Sequence, residues 1–144
     1  MDYSKLAEEL LHVMKLFYSA KSQKMINDAM KGEEFVLQYI SLSGGEALPG
    51  EIGVEMNVSS ARIAQALNSI ESKGLIVRQI DKKDRRRILI TLTEEGKRTA
   101  EEHRKQIIEL AEKMLQLLGE HDAKEYVRIT GKLAEIASSE KLSC

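Results

Sequence analysis

The sequence predicts a mostly α fold carrying a small β-hairpin, an α+β arrangement, on three observations. Apolar residues recur at three- and four-residue steps through most of the 144 residues, the period of buried helix faces. Two short runs, Ile76 to Ile80 and Ile88 to Leu92, are instead rich in β-branched residues, and the second is apolar at 88, 90 and 92, the period of a strand. Between them lies DKKDRRR, residues 81–87, five positive and two negative charges with no apolar anchor, which reads as an exposed hairpin loop.

Taken in order, Asp2 to about Lys21 places Leu6, Leu10, Val13, Phe17 and Ala20 on one stripe and Ala7, Leu11, Met14 and Tyr18 on its neighbour. Together they are wider than a helix on a small core needs, which implies burial on two sides, one of them a partner chain. Residues 22–32 are polar and read as a loose connection or a short helix. Glu33 to Ser43 is a helix ended by Gly44-Gly45. Pro49 suits the first turn of the next helix, whose buried side is Ile52 and Met56. Asn57 tolerates the left-handed conformation of a tight turn, and Val58 plugs the angle between two helices.

Ser59 can cap the helix that follows, and Ile63, Leu67 and Ile70 form its buried face. Gly74 stops it, with Leu75 placed to fold back on Ile70. After the hairpin, Thr93 caps another helix, and Glu94 and Glu95 oppose the positive end of its dipole. Gly96 stands where a capping-box glutamate would be. That helix runs to about Leu118, with Ile107, Ala111, Met114 and Leu118 on one stripe and Ile108 and Leu115 beside it. A last helix, Asp122 to about Ser138, groups Tyr126, Ile129, Leu133 and Ile136.

A helix followed by a charged hairpin is a winged helix-turn-helix. The run Gly74-Leu75-Ile76, Arg78, Asp81, Asp84-Arg85-Arg86, then Leu92-Thr93 and Gly96 resembles, in order and spacing, the signature of the MarR family of bacterial transcriptional regulators. The resemblance implies a dimeric, sequence-specific DNA-binding regulator, typically a repressor released by a small molecule. It divides the chain into a DNA-binding lobe, residues 33–96, and a helical dimerisation region, residues 2–21 and 97–139, in one compact chain.

Charge distribution agrees. The net charge is −1, yet residues 59–91 hold eight basic and three acidic side chains, a local +5 that leaves −6 elsewhere. One face suited to phosphate on an otherwise acidic protein is the footprint of a nucleic-acid binder. With Ile63, Leu67 and Ile70 inward, Ala61, Gln65, Asn68 and Ser72 face outward, flanked by Arg62 and Ser69. Arg62 could pair with guanine, Gln65 or Asn68 with adenine, and Ala61 or Ala64 could pack on thymine methyls in a major groove. Ser60, in the first turn, is placed for a phosphate. The loop fits a minor groove, whose negative potential attracts arginine. Arg85 is expected to enter it. Arg86 should pair with Asp84 or Asp81 to shape the wing, while Lys82, Lys83 and Arg87 touch phosphates. A dimer would engage a palindromic operator with half-sites about 10 base pairs or a multiple apart.

The family resemblance also implies an effector, small and aromatic, anionic or lipophilic, in a cleft lined by residues such as Met14, Phe17, Tyr18 and His103. No metal or cofactor is expected: His12, His103 and His121 are isolated, without ligand spacing. Cys144 reads as a terminal thiol, with no second cysteine to pair with. No enzyme is expected either, since there is no glycine-rich phosphate loop and no nucleophile beside a base. Without an apolar run of roughly 18 residues or a signal-peptide pattern, the sequence predicts a cytoplasmic protein that does not meet the membrane. The alternative is a winged-helix module that contacts another protein, with weak or no DNA binding.

Overall fold

The computed structural model describes residues 1–139; the reading of Cys144 falls outside them. The chain forms two compact units, Met1–Ile107 and Ile108 onward, and the sixth helix passes from one to the other.

In the first unit, α1 is Tyr3–Ser19, capped by Asp2, whose carboxylate accepts from the Ser4 N–H at 3.1 Å. The segment left open between loop and helix is a helix, α2, Lys21–Ala29. Its sequence is polar, but Gln23 and Ile26 are buried, and Gln23 is satisfied by donating to Asn27 at 3.0 Å. Then come α3 (Gly32–Leu42), β1 (Glu46–Ala47), α4 (Pro49–Met56), α5 (Ser60–Ser72), β2 (Ile76–Ile80), β3 (Ile88–Leu92) and α6 (Glu94–Leu118). Pro49 opens α4, and Asn57 closes it in the left-handed region at φ 53°. Val58 packs against the core at the corner.

The sheet has a strand that the sequence analysis does not anticipate. β1 pairs with β3, which also pairs antiparallel with β2, giving the order β1-β3-β2. Glu46 lies opposite Thr91, and Ala47 opposite Ile90. The β2–β3 register runs from Ile76 opposite Leu92 to Ile80 opposite Ile88. Val36, Leu37 and Ile40 of α3, Ile52 of α4, Ile63, Leu67 and Ile70 of α5, and Ile76, Ile90 and Leu92 of the sheet form one core. Gln38 fastens α3 to α6 by donating to the Ala100 carbonyl at 2.6 Å.

The end of α5 is a Schellman cap. Leu75 N–H donates to the Ile70 carbonyl at 3.2 Å and Gly74 N–H to that of Glu71 at 2.9 Å, with Gly74 at φ 76°. Thr93 joins this corner to α6. Its hydroxyl donates to the Gly74 carbonyl at 2.7 Å and accepts from the Gly96 N–H at 3.0 Å, so it caps α6 as expected. Gly96, which the sequence suggests as an absent capping glutamate, has a steric purpose: a Cβ there would overlap the Leu75 carbonyl.

In α1, no residue is buried, and Leu6, Leu10, Leu11, Val13 and Leu16 all stay exposed within the single chain. The second unit holds the end of α6 and α7, Glu120–Ser138. There Leu117, Tyr126, Val127, Ile129 and Leu133 are likewise exposed. Apolar stripes this broad on a chain of this size mark surfaces made to be covered.

Two glycine substitutions separate these effects. Gly74→Ala should cost about 1 kcal/mol, the strain of a left-handed non-glycine residue. Gly96→Ala should cost about 3 kcal/mol, because a backbone carbonyl must move rather than a side chain. Urea unfolding of the two variants measures the order.

Candidate nucleic-acid interface

Residues of α4, Asn57, Val58 and α5 make a helix-turn-helix, and α5 is set by its cap. Ser59 accepts from the Arg62 N–H at 3.3 Å, and Ile63, Leu67 and Ile70 hold the opposite face in the core. Ser60, Ala61, Arg62, Ala64, Gln65 and Asn68 are exposed, as a major-groove face requires. Ser69 is not part of that face. It is half-buried and turned toward Glu33 of α3, which Lys73 also approaches at 2.6 Å. The bond from Lys73, then that from Ser69, lowers the Glu33 pKa. The C-terminal end of α5 is thereby tied to α3.

Asn68 is exposed but engaged: Arg78 of β2 donates from Nη2 to its Oδ1. The same guanidinium has Nε 3.5 Å from Glu71 Oε2. Among the described residues, no hydrogen bond or ion pair engages the side chains of Arg62 or Gln65.

The wing is more ordered than a freely projecting charged loop. Asp81 is buried, 7% exposed. Its carboxylate accepts from the Lys83 N–H at 2.9 Å and from Arg87 Nη2 at 2.9 Å. Asp84 repeats the device, accepting from the Arg86 N–H and Nε, both at 3.1 Å. Each aspartate thus folds the chain back on its own backbone two residues on, the Asx turn, and each also holds an arginine. Arg86 takes Asp84, one of the two partners expected for it. Arg87, expected to reach phosphate, is held by Asp81 and lies 3.8 Å from Asp84. Of the wing's five cations, Lys82, Lys83 and Arg85 form no ion pair among the described residues.

Of the residues suggested for an effector cleft, three lie on α1 and one on α6. Phe17 and Tyr18 are tilted against each other on α1, ring centroids 5.6 Å apart, with Met14 half-buried one turn earlier. His103 of α6 instead lies beside α3, Nδ1 3.7 Å from Glu34. No hydrogen bond, ion pair or aromatic pair among the described residues joins the two places. A cavity of about 400 Å³ lies elsewhere, between α4, α5 and the hairpin, lined by Pro49, Ile63, Ala64, Leu67, Arg78 and Ile88.

A capped, outward-facing helix beside a braced basic hairpin defines a winged helix-turn-helix DNA-binding protein. Comparison with known proteins agrees: the MarR family model matches residues 35–87. The chain is 30% identical to the uncharacterized HTH-type transcriptional regulator YwhA of Bacillus subtilis over 142 residues, covering 94% of this chain and all of YwhA. Among solved structures, the YusO protein of Bacillus subtilis is similar at 27% identity and TM-score 0.70, covering 94% of this chain and 98% of that one. Streptococcus pneumoniae FabT, solved in complex with DNA, shares the fold at 18% identity and TM-score 0.69, covering 96% of this chain and 99% of that one. The chain belongs to the MarR family and is a DNA-binding transcriptional regulator, not an enzyme.

The braced wing should respond to acid in a defined direction. The Lys83 N–H, then Arg87, holds the Asp81 carboxyl below the usual aspartate range, and Arg86 does the same for Asp84. Because both folded values are depressed, their stabilisation is complete above the unfolded value of about 3.9 and is lost as pH falls through the lower folded values. Carboxyl-carbon NMR titration should place both midpoints below that of an unstructured aspartate. Midpoints at or above it would mean that the aspartates do not shape the loop in solution.

Proposed function

We propose that the chain acts as a homodimeric repressor on a palindromic operator, with the recognition helix 59–73 in the major groove and the wing 81–87 in the minor groove. Residues 33–96 are the reading lobe, and residues 2–21 and 97–139 join the two copies. The observation that carries this reading is the division of labour in the wing. Two arginines are spent on the loop's own aspartates, while Lys82, Lys83 and Arg85 remain for DNA. Arg85 enters the minor groove, the two lysines touch phosphates, and Asp81 and Asp84 hold the loop's shape. On α5, Ser60 meets phosphate, and Ala61, Arg62, Ala64, Gln65 and Asn68 face bases. Arg87 contributes its charge from within the loop, and Ser69 supports the helix rather than reading sequence.

The dimer is supported by the exposed apolar residues of α1 and, separately, of α7. Release by a small aromatic or lipophilic effector follows from family resemblance, with Met14, Phe17, Tyr18 and His103 its expected neighbourhood; the groove lined by Leu67 and Ile88 is a second apolar place of ligand size. Such a protein works in the cytoplasm; no described helix is long and apolar enough to cross a membrane.

Selection of bound sequences from a random DNA pool should return a palindrome. Arg85→Ala should weaken binding to it by about 1 to 3 kcal/mol with the dimer intact by sedimentation. Lys82→Ala should weaken all sequences alike and lower the salt slope by about one. A monomer at micromolar concentration, or Arg85→Ala at full affinity, would contradict the corresponding part of the proposal.

A further inference from the structure

We propose that Arg78 is a positioning residue that fixes the amide of Asn68 as a hydrogen-bond donor, so that Asn68 selects guanine rather than adenine. The proposal rests on α5 being the major-groove helix. Asn68 and Glu71 stand three residues apart on one side of α5, and Arg78 reaches from β2 to both, with Nη2 on Asn68 Oδ1 and Nε 3.5 Å from Glu71 Oε2.

A guanidinium donates at every nitrogen and accepts at none. The amide atom that faces it is therefore the oxygen, and turning the amide over would set donor against donor. Glu71 keeps the guanidinium from swinging away. An asparagine that reads adenine must accept from N6 through Oδ1 while donating to N7 through Nδ2. Here Arg78 takes one lone pair of Oδ1 and keeps the amide from turning over, so the group that Asn68 is free to turn to a base edge is Nδ2 with its two N–H donors. Guanine presents two adjacent acceptors, O6 and N7, whereas adenine places a donor beside its N7. Gln65, one turn earlier, has no such partner among the described residues, so its amide is free to adopt the adenine orientation.

The test is sequence selection from a random DNA pool with the full chain and four variants. Asn68→Ala identifies the base pair that Asn68 reads as the one position in each half-site where preference is lost. At that position the unaltered protein should prefer guanine by roughly tenfold, the scale of one good base contact. Arg78→Met, which keeps an apolar stem, should admit adenine there and leave the other positions unchanged. Arg78→Lys, still a pure donor, should retain guanine. Asn68→Asp, which still receives Arg78 and keeps the fold if Arg78→Met does not, should turn the preference toward cytosine, whose N4 donates.

Adenine at that position in the unaltered protein would overturn the role of Arg78 and leave the operator reading standing. So would an unchanged preference in Arg78→Met or, if that variant fails to fold, in Asn68→Asp. No position answering to Asn68→Ala would do the same. The absence of any palindrome from the pool would instead remove the operator reading and this proposal with it.

Discussion

The corner at Gly74 and Leu75 sets the geometry on which the DNA-binding face depends. The recognition helix ends there through two backbone bonds to Ile70 and Glu71, and β2 begins one residue later. The Leu75 carbonyl accepts from the Thr93 N–H at 3.0 Å, so the start of α6 is bonded to the same corner. Gly96 lets the backbone of α6 come this close, and the Thr93 hydroxyl closes the junction on Gly74. Two helices and a strand meet within a few residues, and their relative angle is set mainly by backbone atoms.

From this corner the hairpin carries its loop outward, and there the problem is electrostatic. The five positive charges within seven residues would repel one another and let the loop sample many shapes. Two aspartates, each binding a backbone N–H and an arginine, convert the run into one conformation. Side-chain and backbone entropy is thus lost in the free protein rather than on meeting DNA, the general advantage of a preorganised binder.

Much of this was legible in the residues. The cap at Ser59, the buried face at Ile63, Leu67 and Ile70, the stop at Gly74 and both hairpin strands follow from local rules, and the strand limits agree with the structure. β1 was not legible because Glu46 and Ala47 have no strand propensity and are extended only through their pairing with β3. α2 was ambiguous because its composition is polar and its two buried residues depend on neighbouring helices for their cover. Arg87 reads as a phosphate contact because charge alone does not reveal that the fold of the turn brings it, rather than Arg86, to Asp81. Ser69 looked outward by helical angle, but α3 brings Glu33 to it, a tertiary fact that no periodicity contains.

The short strand β1 has an effect beyond widening the sheet. Without it, β3 would present a row of unpaired N–H and C=O groups beside Ile90, at the base of an apolar hairpin. Exposed edges of that kind recruit strands from other chains. Glu46 and Ala47 occupy the edge at Thr91 and Ile90, and the Gly45 carbonyl extends the seal by accepting from the Leu92 N–H at 2.9 Å. The cover stops short of the charged tip, where repulsion between like loops serves the same end. Of the hairpin's two edges, the one along β3 is thereby closed at its base to pairing with another chain.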